Sequence, residues 1–137
     1  MPPEVTEVLT TCQTIAVVGL SPKACRPSHQ VACYLMAAGY RIVPVNPGHD
    51  ELLGLPCYPD LASIPTPIDL VNIFRPPRDV PPVVAAAIRI KSRAIWMQVG
   101  IIHAAAARQA RAAGLLVVMD RCLKTEHLYF KARPDTR

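Results

Sequence analysis

The chain contains few aromatic residues and no run of basic ones. Phe, Trp and Tyr together make up 5% of its 137 residues, and the 15 Lys and Arg side chains are dispersed. Single-stranded nucleic acid usually stacks its bases on aromatic side chains, and phosphate backbones bind clustered basic groups. The net charge of +5 therefore indicates a solvated basic surface rather than a nucleic-acid-binding face, although it would also suit an anionic small molecule.

Motifs for metal binding, disulfides or membrane insertion are also missing. The 5 cysteines include no C-x-x-C pair, and an odd number cannot all pair internally, so free thiols in a reducing cytosol are expected. The histidines show neither H-x-x-x-H nor H-E-x-x-H spacing, which argues against a metal site. The N-terminus has no basic region followed by an apolar one, and no apolar run is long enough to span a bilayer. We expect a cytoplasmic protein without a membrane or nucleic-acid partner; the sequence does not identify a protein partner.

The composition that remains is that of one globular domain. Apolar residues make up 51% and charged residues 18%, and the length is enough for one core but not for two. We therefore predict a single domain over residues 1–137, with its core at about residues 13–130.

Strand-length apolar runs alternate with segments of helical period. The predicted strands are residues 15–20, 42–45, 70–74, 95–99 and 115–119, and the predicted helices between them are residues 28–38, 79–91 and 103–113. Strands this rich in Val and Ile are typical of a sheet that is buried on both faces. Short connections between them predict an α/β fold, a Rossmann-like, doubly wound parallel five-stranded sheet with helices on both faces.

Local signals add detail to this fold. Short helices are predicted at about residues 3–12 and after Cys122, and residues 47–67 are Pro-rich and hold at most one short helix near residues 60–63. Gly39 and Gly114 are expected to end helices, and Asp79 to cap one. Pro44 lies in a predicted interior strand, where it cannot donate a ladder hydrogen bond, so we expect the pairing of that strand to end there.

The first predicted strand runs into a turn with features of a phosphate site. Only Gly19 is present where G-x-G-x-x-G would require three glycines, so the dinucleotide fingerprint fails. A phosphate can still lie at the N-terminus of the next helix, where Ser21 and Ser28 would add hydroxyl donors and Arg26 a guanidinium. Ser28 could instead serve only as the helix N-cap, and this alternative stays open.

The end of the second strand discriminates between nucleotides. Sheets that bind NAD place an Asp or Glu there to hold the ribose hydroxyls, whereas this chain has Asn46 between Pro44 and Pro47. A carboxylate would repel a phosphate on that ribose, and an amide would not. The sequence therefore favours a nucleotide with a phosphorylated ribose, such as coenzyme A (CoA) or NADP.

Six motifs cover most of the chain: Val17-Val-Gly-Leu-Ser-Pro, Arg26-Pro-Ser, Gly39-Tyr-Arg-Ile-Val-Pro-Val-Asn-Pro, Asp69-Leu-Val-Asn-Ile-Phe-Arg, Ala94-Ile-Trp-Met-Gln-Val-Gly and Asp120-Arg-Cys-Leu-Lys-Thr-Glu-His. Together, and in this order, they resemble a known family, the small single-domain CoA-binding proteins, which are similar to the CoA-binding domain of the succinyl-CoA synthetase alpha subunit. No segment matches the ATP-handling domain of the synthetases, so ligase chemistry is not implied.

The resemblance implies that CoA or a short acyl-CoA lies across the carboxyl ends of the strands. Residues from the first turn would face the phosphates, those after the second and third strands would border the adenosine, and those after the fourth would follow the pantetheine. In order, they are Gly19, Leu20, Ser21, Pro22, Arg26, Ser28, Val45, Asn46, Pro47, Phe74, Arg75, Gln98, Gly100 and Ile101.

No catalytic constellation can be read from the sequence. We see no acid–base pair, metal cluster or nucleophile–base spacing, so we expect a non-catalytic module that binds or senses its ligand. Alternatives remain open: an NADP-linked reductase or an acyl-transfer enzyme using the same crevice, and a ligand-binding subunit of a larger acyl-CoA enzyme. Cys25 could react with the ligand thiol, and Cys122, next to Arg121, could have a lowered pKa or be a packing residue.

Overall fold

The computed structural model of the protein describes residues 2–133. In chain order the elements are α1 (Pro3–Thr11), β1 (Thr14–Val18), α2 (Pro27–Ala37), β2 (Arg41–Val45), β3 (Glu51–Leu52), β4 (Leu55–Pro56), a 3-10 helix (Leu61–Ser63), β5 (Leu70–Ile73), a second 3-10 helix (Pro77–Asp79), α3 (Val80–Arg89), β6 (Ala94–Met97), α4 (Ala104–Ala112), β7 (Leu116–Val118) and α5 (Leu123–Ala132).

Five of these strands form one parallel sheet in the order β2-β1-β5-β6-β7. The chain moves from β1 outward to β2 and then returns to β5 on the other side of β1, so the direction of winding reverses between β1 and β5. This confirms the predicted Rossmann-like α/β fold. In such sheets ligands bind at this reversal, beyond the carboxyl ends of the strands.

Helices cover both faces of the sheet. Successive strand residues point to opposite sides, so each strand presents apolar side chains to the helices on both faces. On one face, α1, α2 and α5 pack through residues such as Val8, Leu35 and Leu123. On the other, α3 and α4 pack through residues such as Val84 and Ala110. No helix within residues 2–133 is long and apolar enough to cross a membrane.

Pro44 lies in an edge strand, so the expectation that it ends the pairing of an interior strand was wrong. β2 pairs only with β1 in the sheet, and its ladder passes Pro44 and continues to Val45. On its outer side, the Pro44 carbonyl oxygen accepts the Tyr58 N–H at 3.1 Å. An edge strand tolerates proline because one of its sides needs no continuous ladder.

A small hairpin was missed in the segment predicted to hold at most one short helix. β3 and β4 pair antiparallel through a two-residue turn in which Leu53 and Gly54 have φ of 56° and 72°. Positive φ at both positions is the geometry of a tight hairpin turn. The hairpin returns the chain to the end of β2, where Asn46 N–H donates to the Tyr58 carbonyl at 2.9 Å.

The helix ends agree with the sequence signals in part. Gly39 and Gly114 follow α2 and α4 with φ of 100° and 92°, as expected for helix-terminating glycines. Asp79 occupies the N-cap position of α3, but its side chain caps no N–H of that helix. Asp79 instead forms an ion pair with Arg75.

Candidate functional site

A cavity of about 460 Å³ opens at the carboxyl end of the sheet, beside the reversal between β1 and β5. Its volume is within the range of small-molecule sites, roughly 300–1,000 Å³. The ends of β1 and β2, the loops after β1, β2 and β5, the segment after β4 and one side of α3 supply its lining residues: Val18, Gly19, Ser21, Pro22, Val45, Asn46, Pro47, Pro59, Asp60, Leu61, Arg75, Pro82, Val83 and Ala86.

Gly19 brings the β1 turn against the end of β5. Its φ of 89° is in the left-handed region, and a Cβ added there would lie 2.6 Å from the Phe74 carbonyl oxygen and 3.2 Å from Cδ of Arg75. The Gly19 N–H donates to the Val45 carbonyl at 3.0 Å, which holds the turn against β2 as well. A side chain at this position would therefore push the loops around the cavity apart.

Ser28 holds the loop between β1 and α2 and does not cap the helix. Its Oγ accepts the N–H of Ser21 at 3.0 Å, and the Ser21 carbonyl lies 3.0 Å from Nδ1 of His29. The helix begins at Pro27, and the N-cap position belongs to Arg26, whose side chain makes no capping bond. The N-cap alternative for Ser28 was therefore wrong. Its hydroxyl oxygen accepts within the loop, and its O–H remains a donor.

Asn46 connects two of the loops around the cavity. Its Nδ2 donates to the Leu20 carbonyl at 2.9 Å, and its Oδ1 accepts the Gly48 N–H at 2.8 Å. The amide thus fixes the β1 loop to the β2 loop while one Nδ2 hydrogen remains for another acceptor. An aspartate could accept from Gly48 but could not donate to Leu20.

Arg75 supplies the cationic side chain of the cavity. Its guanidinium is half-exposed and lies 3.2 Å from the Asp79 carboxylate. An exposed pair of this kind is weak, so a phosphate in the cavity could compete with Asp79 for the guanidinium. Phe74 precedes it in the chain and packs partly buried against the core instead of lining the cavity.

The remaining predicted site residues lie outside the cavity wall. Arg26 is exposed at the start of α2, and Leu20 is buried in the core. Gln98 is 5% exposed, and its Oε1 accepts the Leu123 N–H at 3.0 Å, which fixes the N-terminus of α5. In the same loop the N–H of Gly100 donates to Asp120, and the N–H of Ile101 donates to the Gln98 carbonyl. These contacts give the loop after β6 a structural role.

Half of the cavity wall was not anticipated from the sequence: Val18, Pro59, Asp60, Leu61, Pro82, Val83 and Ala86. Val18 could have been found, because it ends a strand next to the reversal. The segment around Asp60 reaches the cavity only through the β3–β4 hairpin, which the sequence analysis missed. This segment also brings the Asp60 carboxylate to the cavity, although the end of the second strand carries none.

The thiols differ in protonation and exposure. Burial raises the pKa of Cys12 to about 11, so this thiol is a packing group. At Cys122 burial also acts to raise the pKa, but polar groups of Thr125, Gln98 and Lys124 outweigh it and lower the pKa overall. Arg121 is not the cause, since its guanidinium pairs with Glu126 at 3.2 Å. Cys25 is exposed, as the sequence suggested.

A doubly wound sheet with a cavity at its winding reversal has the arrangement of α/β proteins that bind ligands beyond the carboxyl ends of their strands. The profile of the family described as CoA binding domain matches residues 13–128, and the chain belongs to this family.

Relatives support this assignment over nearly the whole chain. An uncharacterized protein of Bacillus subtilis (strain 168), YneT, is 38% identical over 128 residues, which are 93% of this chain and 95% of that protein. The solved structure of a hypothetical protein from Pyrococcus horikoshii OT3 superposes with a TM-score of 0.91 at 35% identity, covering 96% of this chain and 97% of that one.

A third relative is a much larger enzyme. The ADP-forming acetate–CoA ligase II of Archaeoglobus fulgidus is 36% identical over 75 residues, which are 53% of this chain but 11% of the ligase. The chain is therefore related to the CoA-binding part of such ligases.

Proposed function

We propose that this chain binds coenzyme A, or a short acyl-CoA, in the cavity at the carboxyl ends of β1, β2 and β5, and does so as a cytoplasmic binding or sensing module. The observation that carries the proposal is the cavity itself, which both Arg75 and Asn46 line, in a chain of the CoA binding domain family.

The residues present fit the nucleotide half of this ligand. The cavity combines apolar side chains that suit a base, such as Val18, Leu61 and Val83, with the cationic Arg75 for phosphate. A guanidinium is permanently charged and binds two phosphate oxygens at once. Asn46 adds an uncharged donor where a carboxylate would repel a ribose phosphate.

The start of α2 would add to phosphate binding next to the cavity. The helix dipole and the free N–H groups of a first turn favour an anion, and Arg26 extends from this turn into solvent. Ser21 lines the cavity from the same loop. When bound, CoA would supply a thiol that carries an acyl group, while this chain's residues hold the nucleotide and its phosphates.

The experiment is native mass spectrometry of the purified protein, followed by calorimetric titration with CoA, NAD and NADPH after removal of any co-purified ligand. We expect CoA to be retained or to bind with one site per chain, and to bind more tightly than either dinucleotide. Preferential binding of NADPH would instead support the reductase alternative.

The same preparation tests the absence of catalysis. We expect acetyl-CoA incubated with the protein to release free thiol at the background rate, because within residues 2–133 no nucleophile that lines the cavity is paired with a base. Thiol release that disappears in a Cys122→Ser variant would show that the chain is an enzyme and overturn the binding-module proposal.

A further inference from the structure

Asp60 lines the cavity with one carboxylate oxygen left over. Its Oδ1 accepts two hydrogen bonds, from Ser63 N–H at 2.9 Å and Ser63 Oγ at 2.7 Å, and so caps the 3-10 helix Leu61–Ser63. Its Oδ2 has no hydrogen-bond partner among the residues that the structure describes, and the residue is exposed. Capping therefore uses Oδ1 of the carboxylate, and Oδ2 is available to a ligand.

The surroundings of Asp60 match one part of a nucleotide. Leu61 follows it in the chain, and Val83 and Ala86 of α3 line the same cavity, so this part of the wall is apolar. A flat aromatic base suits such a wall, whereas ribose and phosphate suit the polar wall with Asn46 and Arg75. Among the described residues that line the cavity, Asp60 is the only acidic one.

A carboxylate in a site for a polyanionic ligand is unfavourable unless the ligand donates a hydrogen bond to it. The hydroxyls of the ribose are one possible donor. In NAD-binding sheets, however, the carboxylate for these hydroxyls directly ends the second strand, the position that Asn46 holds here. Asp60 comes from the next segment and directly precedes Leu61, which packs in one cluster with Val83 and Ala86. A base bound against these apolar side chains would offer its exocyclic amine as a donor to Asp60.

We propose that Asp60 determines base specificity: its free oxygen accepts a hydrogen bond from the 6-amino group of adenine. The inference rests on the proposed function and deepens it, because it assigns the base that the site selects. Hypoxanthine has the same shape but carries a carbonyl at this position, and its oxygen would face the carboxylate. With hypoxanthine, two hydrogen-bond acceptors, its carbonyl oxygen and the Asp60 carboxylate, would face each other. Because the carboxylate is charged, this mismatch discriminates strongly between the two bases.

The test compares two ligands of equal charge, adenosine 3′,5′-bisphosphate and inosine 3′,5′-bisphosphate, by calorimetric titration alongside CoA. Both ligands carry the same phosphates, so repulsion between Asp60 and the phosphates affects both dissociation constants equally and drops out of their ratio. We expect the wild-type protein to prefer the adenine ligand by about tenfold, and an Asp60→Ser variant to bind the two ligands about equally. Serine can still cap the 3-10 helix, so the wall should persist.

Two further variants support the comparison. Asp60→Asn, whose amide can present either a donor or an acceptor, should reduce the preference and provides the test if the serine variant fails to fold. Asp50→Ser removes the same charge from an exposed residue that does not line the cavity, and should leave the ratio unchanged.

Equal binding of the two bisphosphates by the wild-type protein, or an undiminished adenine preference in both Asp60 variants, would overturn the role of Asp60 while CoA binding stands. Binding of neither CoA nor either bisphosphate would instead reject the proposed function, and this inference with it.

Discussion

The side chain of Asn46 donates to the backbone carbonyl of Leu20 at 2.9 Å, and so joins the loop after β2 to the loop after β1. Both loops contribute to the wall of the cavity. The amide at the end of the second strand therefore has two consequences, since it avoids a negative charge beside the ligand and it holds the cavity in shape.

Replacing Asn46 separates these two effects. Asn46→Ala should lower the free energy of unfolding by about 1–2 kcal/mol through the lost hydrogen bonds. Asn46→Asp keeps the acceptor for Gly48 but places a carboxylate against the Leu20 carbonyl, so it should weaken CoA binding more than alanine does. Urea denaturation and calorimetric titration measure the two quantities, and an aspartate variant that binds CoA as the wild type does would refute the electrostatic argument.

Arginine substitutions test where the phosphates bind. Arg75 lines the cavity whereas Arg26 is exposed outside it, so Arg75→Ala should weaken CoA binding by roughly tenfold or more and Arg26→Ala by less. Arg75→Lys should recover only part of the loss, because lysine lacks the bidentate geometry.

The matched control is Arg108→Ala, on the exposed side of α4. Arg111 is less suitable, since it pairs with Glu4 of α1 at 3.3 Å. If the Arg75 and Arg108 variants lose affinity equally, the effect is general electrostatics and the phosphates do not bind at Arg75.

The ion pair between Arg75 and Asp79 predicts a gain of affinity. Asp79→Asn removes the competitor of the ligand phosphate and keeps a residue suited to the N-cap position. CoA affinity should rise roughly two- to fivefold, as expected for an exposed pair, and the gain should shrink at high salt. A decrease in affinity would mean that Asp79 positions Arg75 for binding.

Gly19 and Gly39 allow a matched test of close packing at the site. Both have left-handed φ, 89° and 100°, but only at Gly19 would a Cβ meet another residue. Gly19→Ala should therefore lower the free energy of unfolding by about 2 kcal/mol or more, and clearly more than Gly39→Ala does. If thermal or urea denaturation shows equal losses of unfolding free energy for the two variants, the loops around Gly19 accommodate the added methyl group at no extra cost.

His127 predicts how stability depends on pH. Burial lowers its pKa below the ordinary value, with a smaller contribution from Lys131, and its Nδ1 lies 2.7 Å from the Tyr34 hydroxyl. Because the unfolded chain binds the proton more tightly, the free energy of unfolding should fall as the pH drops below about 6.5. A His127→Gln variant should show a flatter profile in urea denaturation between about pH 7.5 and 5.5, and an unchanged profile would assign the dependence to other groups.

The elements of the sheet could be predicted because their signals are local. β6 is apolar throughout and β5 is apolar except for Asn72, and glycines follow α2 and α4 where the sequence indicated. The edge position of β2 was missed, because Pro44 was interpreted within an interior strand.

The site was less predictable because its wall comes from distant segments. Asp60 and Leu61 reach the cavity through a hairpin of two two-residue strands, for which the sequence offers only the weak Leu53-Gly54 turn signal. The hydroxyl of Ser28 and the amide of Gln98 resemble ligand groups in sequence, and in the structure their oxygens also hold loops in place by accepting the backbone N–H groups of Ser21 and Leu123. Only coordinates distinguish a polar group that serves the loop from one that serves a ligand.

The central claim is that this chain binds CoA in the cavity between the loops of β1, β2 and β5. Its most direct test is calorimetric titration of ligand-free protein with CoA, with the Arg75→Ala variant measured in parallel. We predict that the wild-type protein binds CoA saturably at one site per chain and that the Arg75→Ala variant binds it with clearly lower affinity. No measurable binding of CoA by the folded wild-type protein, or identical affinities in the two proteins, would contradict it.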